Sequence, residues 1–166
     1  MILIFFRHGL AEDRSESITK GIEDGDRALL KEGREKTKKS AALFERLGLR
    51  INEIFSSPFL RAVETAEVLK KTLDIKGSIV ISEDLLPERN FTDFLSFLKS
   101  RSTHSDVMLF VGHEPNLSHL VSTILGGKNA FVEIKKSGFV IIEIDTLADL
   151  PAGNGKLQAV VPPRLA

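Results

Sequence analysis

The stretch Ile2-Leu3-Ile4-Phe5-Phe6-Arg7-His8-Gly9 decides how this chain is read. An apolar run ends abruptly in a cation, an imidazole and a glycine. A short run rich in Ile and Phe reads as a buried strand rather than a helix. Whatever follows it stands at the strand's carboxyl end, where open α/β sheets bind ligands. Arg7 offers a fork of donors suited to phosphate. His8 can serve as nucleophile or base near neutral pH. Gly9 allows a sharp turn or a close approach to a ligand, and the expectation is that it keeps the backbone beside His8 slim enough for phosphate. The tripeptide gains meaning only if other strand ends carry complementary groups to the same edge.

Two other strand ends do. Residues 51–56 read as a strand that passes through Ser57-Pro58 into a helix over 59–73, with Arg61 in its first turn. Residues 107–111 read as a strand followed by Gly112-His113-Glu114-Pro115 and a helix over 115–125, closed by Gly126-Gly127. Parallel strands put their carboxyl ends on one edge, so Arg7, His8, Arg61 and His113 can converge beside two helix N-termini, which favour anions.

The remaining segments supply the frame. A helical period runs over 28–47, with Leu30, Thr37, Ala41, Phe44 and Leu47 near one face and Gly48 as its stop. Residues 79–81 read as a short strand, 85–88 as a loop and 91–98 as a helix. Residues 131–134 and 139–144 read as a hairpin around Lys136-Ser137-Gly138, and 155–161 as a last strand. The polar stretch 10–27 shows no lasting period and reads as a long solvated or substrate-facing loop. Strands alternating with helices, then a β-rich tail, predict an α/β three-layer α/β/α sandwich with a mostly parallel central sheet. No repeat or linker divides residues 1–166, so one domain is expected.

Composition narrows the function. Lys plus Arg equals Asp plus Glu at 23 each, which argues against a general nucleic-acid binder. Without cysteine, thiol nucleophiles, disulfides and Cys-based metal sites are impossible. The histidines, His8, His104, His113 and His119, lack zinc-binding spacing, so no metal and no cofactor is expected. His104 falls in a polar run and reads as exposed, and His119 sits mid-helix. No apolar stretch is long enough to span a membrane, and a cytoplasmic protein without membrane partners is expected.

Three blocks carry a family resemblance: Arg7-His8-Gly9; Ser56-Ser57-Pro58-Phe59-Leu60-Arg61-Ala62 with Thr65-Ala66; and Gly112-His113-Glu114-Pro115. Together and in this order they closely resemble the histidine phosphatase superfamily, whose fold is phosphoglycerate mutase-like. The short chain resembles its small SixA-type branch of phosphohistidine phosphatases. Residues 26–33 and 155–162 resemble further segments of that branch, although Ala28 and Leu30 stand where the branch has Pro and Thr. That departure removes a proline start and cap from the helix, and Asp26 is the expected replacement cap.

The resemblance implies a metal-independent phosphatase acting through a covalent phosphohistidine. His8 is the implied nucleophile. Arg7, Arg61 and His113 form the clamp on the transferring phosphoryl group, whose spread negative charge is the main thing a protein must hold. Gly9 and Ser57 are further candidates for phosphate contact, with a turn role as the alternative for Ser57. The proton donor is open between Glu88, which lies where relatives place an acid, Glu114, whose position beside Pro115 also suits a helix N-cap, and none at all. The substrate implied is a phosphorylated histidine-containing protein. The alternatives are a small-molecule phosphomonoesterase on the same core, and a non-catalytic phosphate-binding module.

Overall fold

The structure, a computed structural model, describes residues 1–100, 106–147, 150 and 153–165. His104 lies outside the described residues. The elements run β1 (Ile2–Arg7), α1 (Arg14–Thr19), α2 (Lys31–Arg46), β2 (Glu53–Ser56), α3 (Leu60–Thr72), β3 (Ile79–Ile81), α4 (Phe91–Ser100), β4 (Val107–Gly112), α5 (Asn116–Ile124), β5 (Phe139–Glu143) and β6 (Lys156–Val161). The sheet order is β3-β2-β4-β1-β5-β6. The strands β3, β2, β4 and β1 are parallel, and β5 and β6 add an antiparallel edge. Helices cover both faces, as the alternation of elements predicts.

Period-two alternation explains how one apolar strand serves two cores. Leu3 and Phe5 of β1 join Phe55, Phe94 and Phe110 under α4 and α5. Ile4 and Phe6 join Phe44, Leu69 and Phe139 under α2 and α3. Phe5 and Phe110 stack with centroids 5.4 Å apart, and Phe44 meets Phe139 at 4.5 Å. All of these rings are fully buried, each contributing roughly 1.5–3 kcal/mol from apolar area removed from water. A strand buried on both faces carries no polar alternation, hence the continuous Ile-Leu-Ile-Phe-Phe. No helix among the described residues is long and apolar enough to cross a membrane.

Register places the functional edge. Arg7 pairs with Gly112 and Ser56 with Val111, so the three loops that leave β1, β2 and β4 emerge side by side. α3 and α5 start directly above them.

Several expectations are corrected. The stretch 10–27 is not structureless: Asp13 caps α1, its carboxylate accepting from Ser15 N (2.8 Å) and Glu16 N (3.1 Å), and Asp24–Asp26 form a 3-10 turn. The following helix starts at Lys31 rather than 28, and Asp26 does not cap it. Residues 28–30 are instead drawn down onto the loop. Ala11 bridges Leu29, Ala28 N donates to the Glu12 carboxylate (2.9 Å), and Leu30 N donates to Leu10 O (2.9 Å). Leu30 and Leu47, which flank the two ends of α2, are 40% and 53% exposed, while Thr37, Ala41 and Phe44 are buried as the period requires.

Residues 131–134 are not a strand. β5 already has β1 on one edge and β6 on the other, so no edge remains for a preceding hairpin arm. Ile134 is tied down by single contacts instead: its N–H donates to Glu114 Oε1 (3.1 Å) and its carbonyl accepts from Arg7 Nη1 (2.8 Å). Glu114 is therefore not the cap of α5, whose N-cap residue is Pro115.

Candidate active site

A cavity of about 780 Å³ opens at the carboxyl edge of the parallel strands. Arg7, His8, Arg61 and His113 all line it, with Glu88 and Glu114 on its wall. Three separate strand-to-helix connections thus deliver their polar groups to one place.

His8 is buried, at 6% exposure, and its Nδ1 lies 2.7 Å from Gly9 O. A carbonyl only accepts, so Nδ1 carries the proton and Nε2 keeps its lone pair. Burial pushes the His8 pKa down to about 3; the Gly9 carbonyl opposes that, and the charges of Arg61, Arg7 and Lys136 reinforce it. The ring is neutral at physiological pH, which is the form that can attack an electrophile. His113 packs against it with ring centroids 4.8 Å apart, and meets Phe59 edge-on at 5.1 Å. Burial also pushes the His113 pKa down, to about 2, with the neighbouring His8 and the cavity arginines adding to the effect.

The arginines are anchored by protein acceptors. Arg61 is 3% exposed; its Nη2 reaches Asp24 Oδ2 at 3.0 Å and its Nη1 donates to Asp24 O. Its guanidinium also lies 4.8 Å from the Phe59 ring centroid. Arg7 is held by the Ile134 carbonyl. These anchors leave Arg7 Nε, Arg61 Nε and His113 Nδ1 buried without a partner.

Two expected phosphate contacts do not face the cavity. Ser57 is fully buried, and its Oγ lies 2.9 Å from His113 Nε2. Its hydroxyl serves the histidine rather than the ligand. Gly9 is also turned away. A Cβ there would lie 2.8 Å from Leu29 Cδ1 and 3.0 Å from both Gly33 O and Thr37 Oγ1. The glycine is required by the packing of α2 against the loop, not by phosphate approach. Its N–H donates to Thr65 Oγ1 (3.0 Å), which in turn donates to Arg61 O (2.6 Å), so the first block is tied to the helix bearing Arg61.

Glu88 lines the cavity and is exposed. The cavity's other carboxylates are engaged: Glu12 by Ala28 N, Asp13 by the start of α1, Asp24 by arginines, and Glu114 by Ile134 N. Asn116, buried at the start of α5, fixes the connection to Glu88 by donating to Asp84 O (3.1 Å) and Leu86 O (2.7 Å).

Sequence reading missed several lining residues. Asp24 gathers Arg14 (3.4 Å), Arg27 (3.0 Å) and Arg61 (3.0 Å), and Lys136 stands at the cavity rim. Arg27 had a signal, since it falls in the 26–33 segment that resembles the SixA-type branch. Asp24 had none, because in a run of mixed charges only position in space separates it from Asp26.

Residues 3–100 match the model of the histidine phosphatase superfamily (branch 1). The chain belongs to that superfamily. It is 35% identical over 161 residues to an uncharacterised protein of Picosynechococcus sp., covering 96% of this chain and 90% of that one. Its fold matches that of the protein histidine phosphatase SixA complexed with tungstate, with a TM-score of 0.84, 22% identity and 99% of both chains covered. It also matches the alpha-ribazole phosphatase of Shigella flexneri, with a TM-score of 0.70, 16% identity and 98% and 97% coverage. The phosphoglycerate mutase-like sandwich expected from the sequence is thus the superfamily's own fold.

Proposed function

We propose that this superfamily member is a metal-independent phosphatase that hydrolyses protein phosphohistidine through a phosphohistidine on His8. The observation that carries the reading is the convergence of Arg7, Arg61 and His113 around His8 on the wall of one cavity. Two guanidiniums and an imidazole beside a buried neutral histidine suit a ligand rich in acceptor oxygens, and a phosphoryl group supplies three. The match to SixA in complex with tungstate, another oxyanion, supports the same reading.

The chemistry follows from the tautomer. Neutral His8 attacks phosphorus through Nε2 while the P–N bond of the substrate breaks. As the new N–P bond forms, the His8 ring becomes cationic, and the Gly9 carbonyl 2.7 Å from Nδ1 stabilises that charge. Arg7 and Arg61 hold the oxygens in flight and supply by their cationic guanidiniums the charge that phosphoryl transfer requires, while neutral His113 adds a hydrogen bond. Glu88 gives its proton to the departing imidazole nitrogen. Deprotonated Glu88 then takes a proton from water as that water attacks phosphorus, which releases inorganic phosphate and restores neutral His8.

A trapping experiment tests this. Protein incubated with a labelled phosphodonor and quenched in base should carry an acid-labile phosphoryl group on His8. Label on another residue, or label retained in His8→Ala, would overturn the mechanism. A small-molecule phosphomonoesterase is the second reading, favoured by a cavity within the usual volume range for small ligands. Faster turnover of sugar or nucleotide phosphates than of a phosphorylated histidine-containing domain would establish it.

A further inference from the structure

Lys136 is absent from the sequence blocks that carry the family resemblance, yet it lines the same cavity as Arg7, His8 and Arg61. The other lining cations have protein acceptors: Arg7 has Ile134 O, while Arg14, Arg27 and Arg61 have Asp24. No hydrogen bond or ion pair engages the Lys136 ammonium among the described residues. Its neighbour Lys135 has turned the other way and pairs with Glu133 at 2.5 Å. Desolvation, then the charges of Arg7, Arg27 and Arg61, lower the Lys136 pKa, whereas Asp13 raises it.

The turn that carries it is built rather than loose. Ser137 is fully buried and holds φ at +60°, a conformation that costs a non-glycine residue of order 1 kcal/mol. Its N–H points at the carbonyls of Arg7 (3.1 Å) and His8 (3.2 Å), and its own carbonyl accepts from Ser40 Oγ (2.6 Å). Gly138 O accepts from Arg7 N (3.0 Å). The backbone beside Lys136 is therefore bonded directly to the Arg7-His8 pair, from another part of the chain.

We propose that Lys136 is a substrate-binding residue, an unanchored cation that closes on the oxygens of the phosphoryl group from the solvent side. This rests on the phosphatase reading above. The anchored arginines fix geometry, whereas a flexible ammonium on a fixed base follows the group in and adds attraction without directional demand. Lys136 thus contributes uniform binding of the oxyanion rather than selective stabilisation in flight.

The test is equilibrium binding of tungstate and of inorganic phosphate, with steady-state kinetics beside it. Lys136→Met should weaken both oxyanions about tenfold and raise KM by a similar factor while kcat changes little, the scale expected for one partly exposed charge. Lys136→Arg should restore most of the affinity. Lys135→Met removes the same charge from the same turn and should leave binding unchanged. If Lys136→Met binds as the wild type does, or if Lys135→Met weakens binding equally, Lys136 has no such role. Absence of oxyanion binding by the wild type would overturn the phosphate reading itself, and this inference with it.

Discussion

Asp24 grips Arg61 at two points: Oδ2 lies 3.0 Å from Nη2, and the Asp24 backbone carbonyl accepts from Nη1. The pair joins the 3-10 turn of the loop to the first turn of α3, so the clamp arginine is oriented by a residue far away in sequence. Burial opposes ionisation of Asp24, but the charges of Arg61 and Arg27 outweigh it and hold its pKa below the usual carboxylate range. Arg61→Ala is expected to lower kcat a hundred- to a thousandfold, as for loss of one preorganised donor. Asp24→Asn should cost less, on the order of tenfold, because the guanidinium remains but its aim is loosened. The double variant should be no slower than Arg61→Ala, since the two act as one unit. Simple multiplication of the two losses would refute that coupling.

The buried histidines set an acid limit on stability. With the folded pKa near 3 for His8 and near 2 for His113, against about 6.5 unfolded, the unfolded chain binds protons that the native chain refuses. Between those values stability rises with pH, and it falls on acidification from about 6.5, by up to about 1.4 kcal/mol per pH unit for each ring. Denaturant unfolding measured from pH 7 to pH 4 should show this slope. His8→Asn should remove one proton's share of it.

Activity should not share that limb. His8 stays neutral in the folded protein well below pH 6.5, so kcat/KM for the free enzyme should show no acid-side loss near 6.5 attributable to the nucleophile. A His8 ring that titrates with a midpoint near 6.5, followed by its nitrogen chemical shifts in the free enzyme, would contradict the assigned pKa.

Ser57 orients His113. Its Oγ lies 2.9 Å from His113 Nε2 while also accepting from Phe59 N (3.4 Å), so one hydroxyl fixes the ring against the start of α3. Ser57→Ala should let the neutral ring exchange tautomers. The measurement is the nitrogen chemical shifts of the His113 ring, which should move from a single tautomer toward a mixture, alongside a loss of about tenfold in kcat. Unchanged shifts would rule out the hydroxyl as the determinant.

Gly33 lies inside α2, where glycine costs a helix roughly 1 kcal/mol relative to alanine. Propensity alone would make Gly33→Ala stabilising. Yet an added Cβ would run into the backbone carbonyl of Leu10, and would meet Leu10 N at 2.7 Å and Leu29 Cδ1 at 2.9 Å. Overpacking against backbone costs typically 1–3 kcal/mol, so the net effect should be destabilising. A raised melting temperature for this variant would show that the loop can yield.

The sequence by itself determined the sheet and the identity of the main site groups. Ile2 to Phe6 is apolar throughout because β1 is buried on both faces, and Arg7, His8, Arg61 and His113 stand at or just beyond strand ends because parallel strands share a carboxyl edge. Tertiary structure alone decided what each neighbour does. Ser57 and Gly9 sit inside the recognisable blocks, yet one serves His113 and the other the packing of α2. Asp24, within an apparently featureless run, anchors Arg61, and Lys136 reaches the cavity because Ser137 is bonded to the carbonyls of Arg7 and His8. Periodicity and strand-end position depend on a residue's neighbours along the chain and can be read there. Hydrogen-bond partners drawn from distant segments depend on how the elements pack, and no local pattern encodes them.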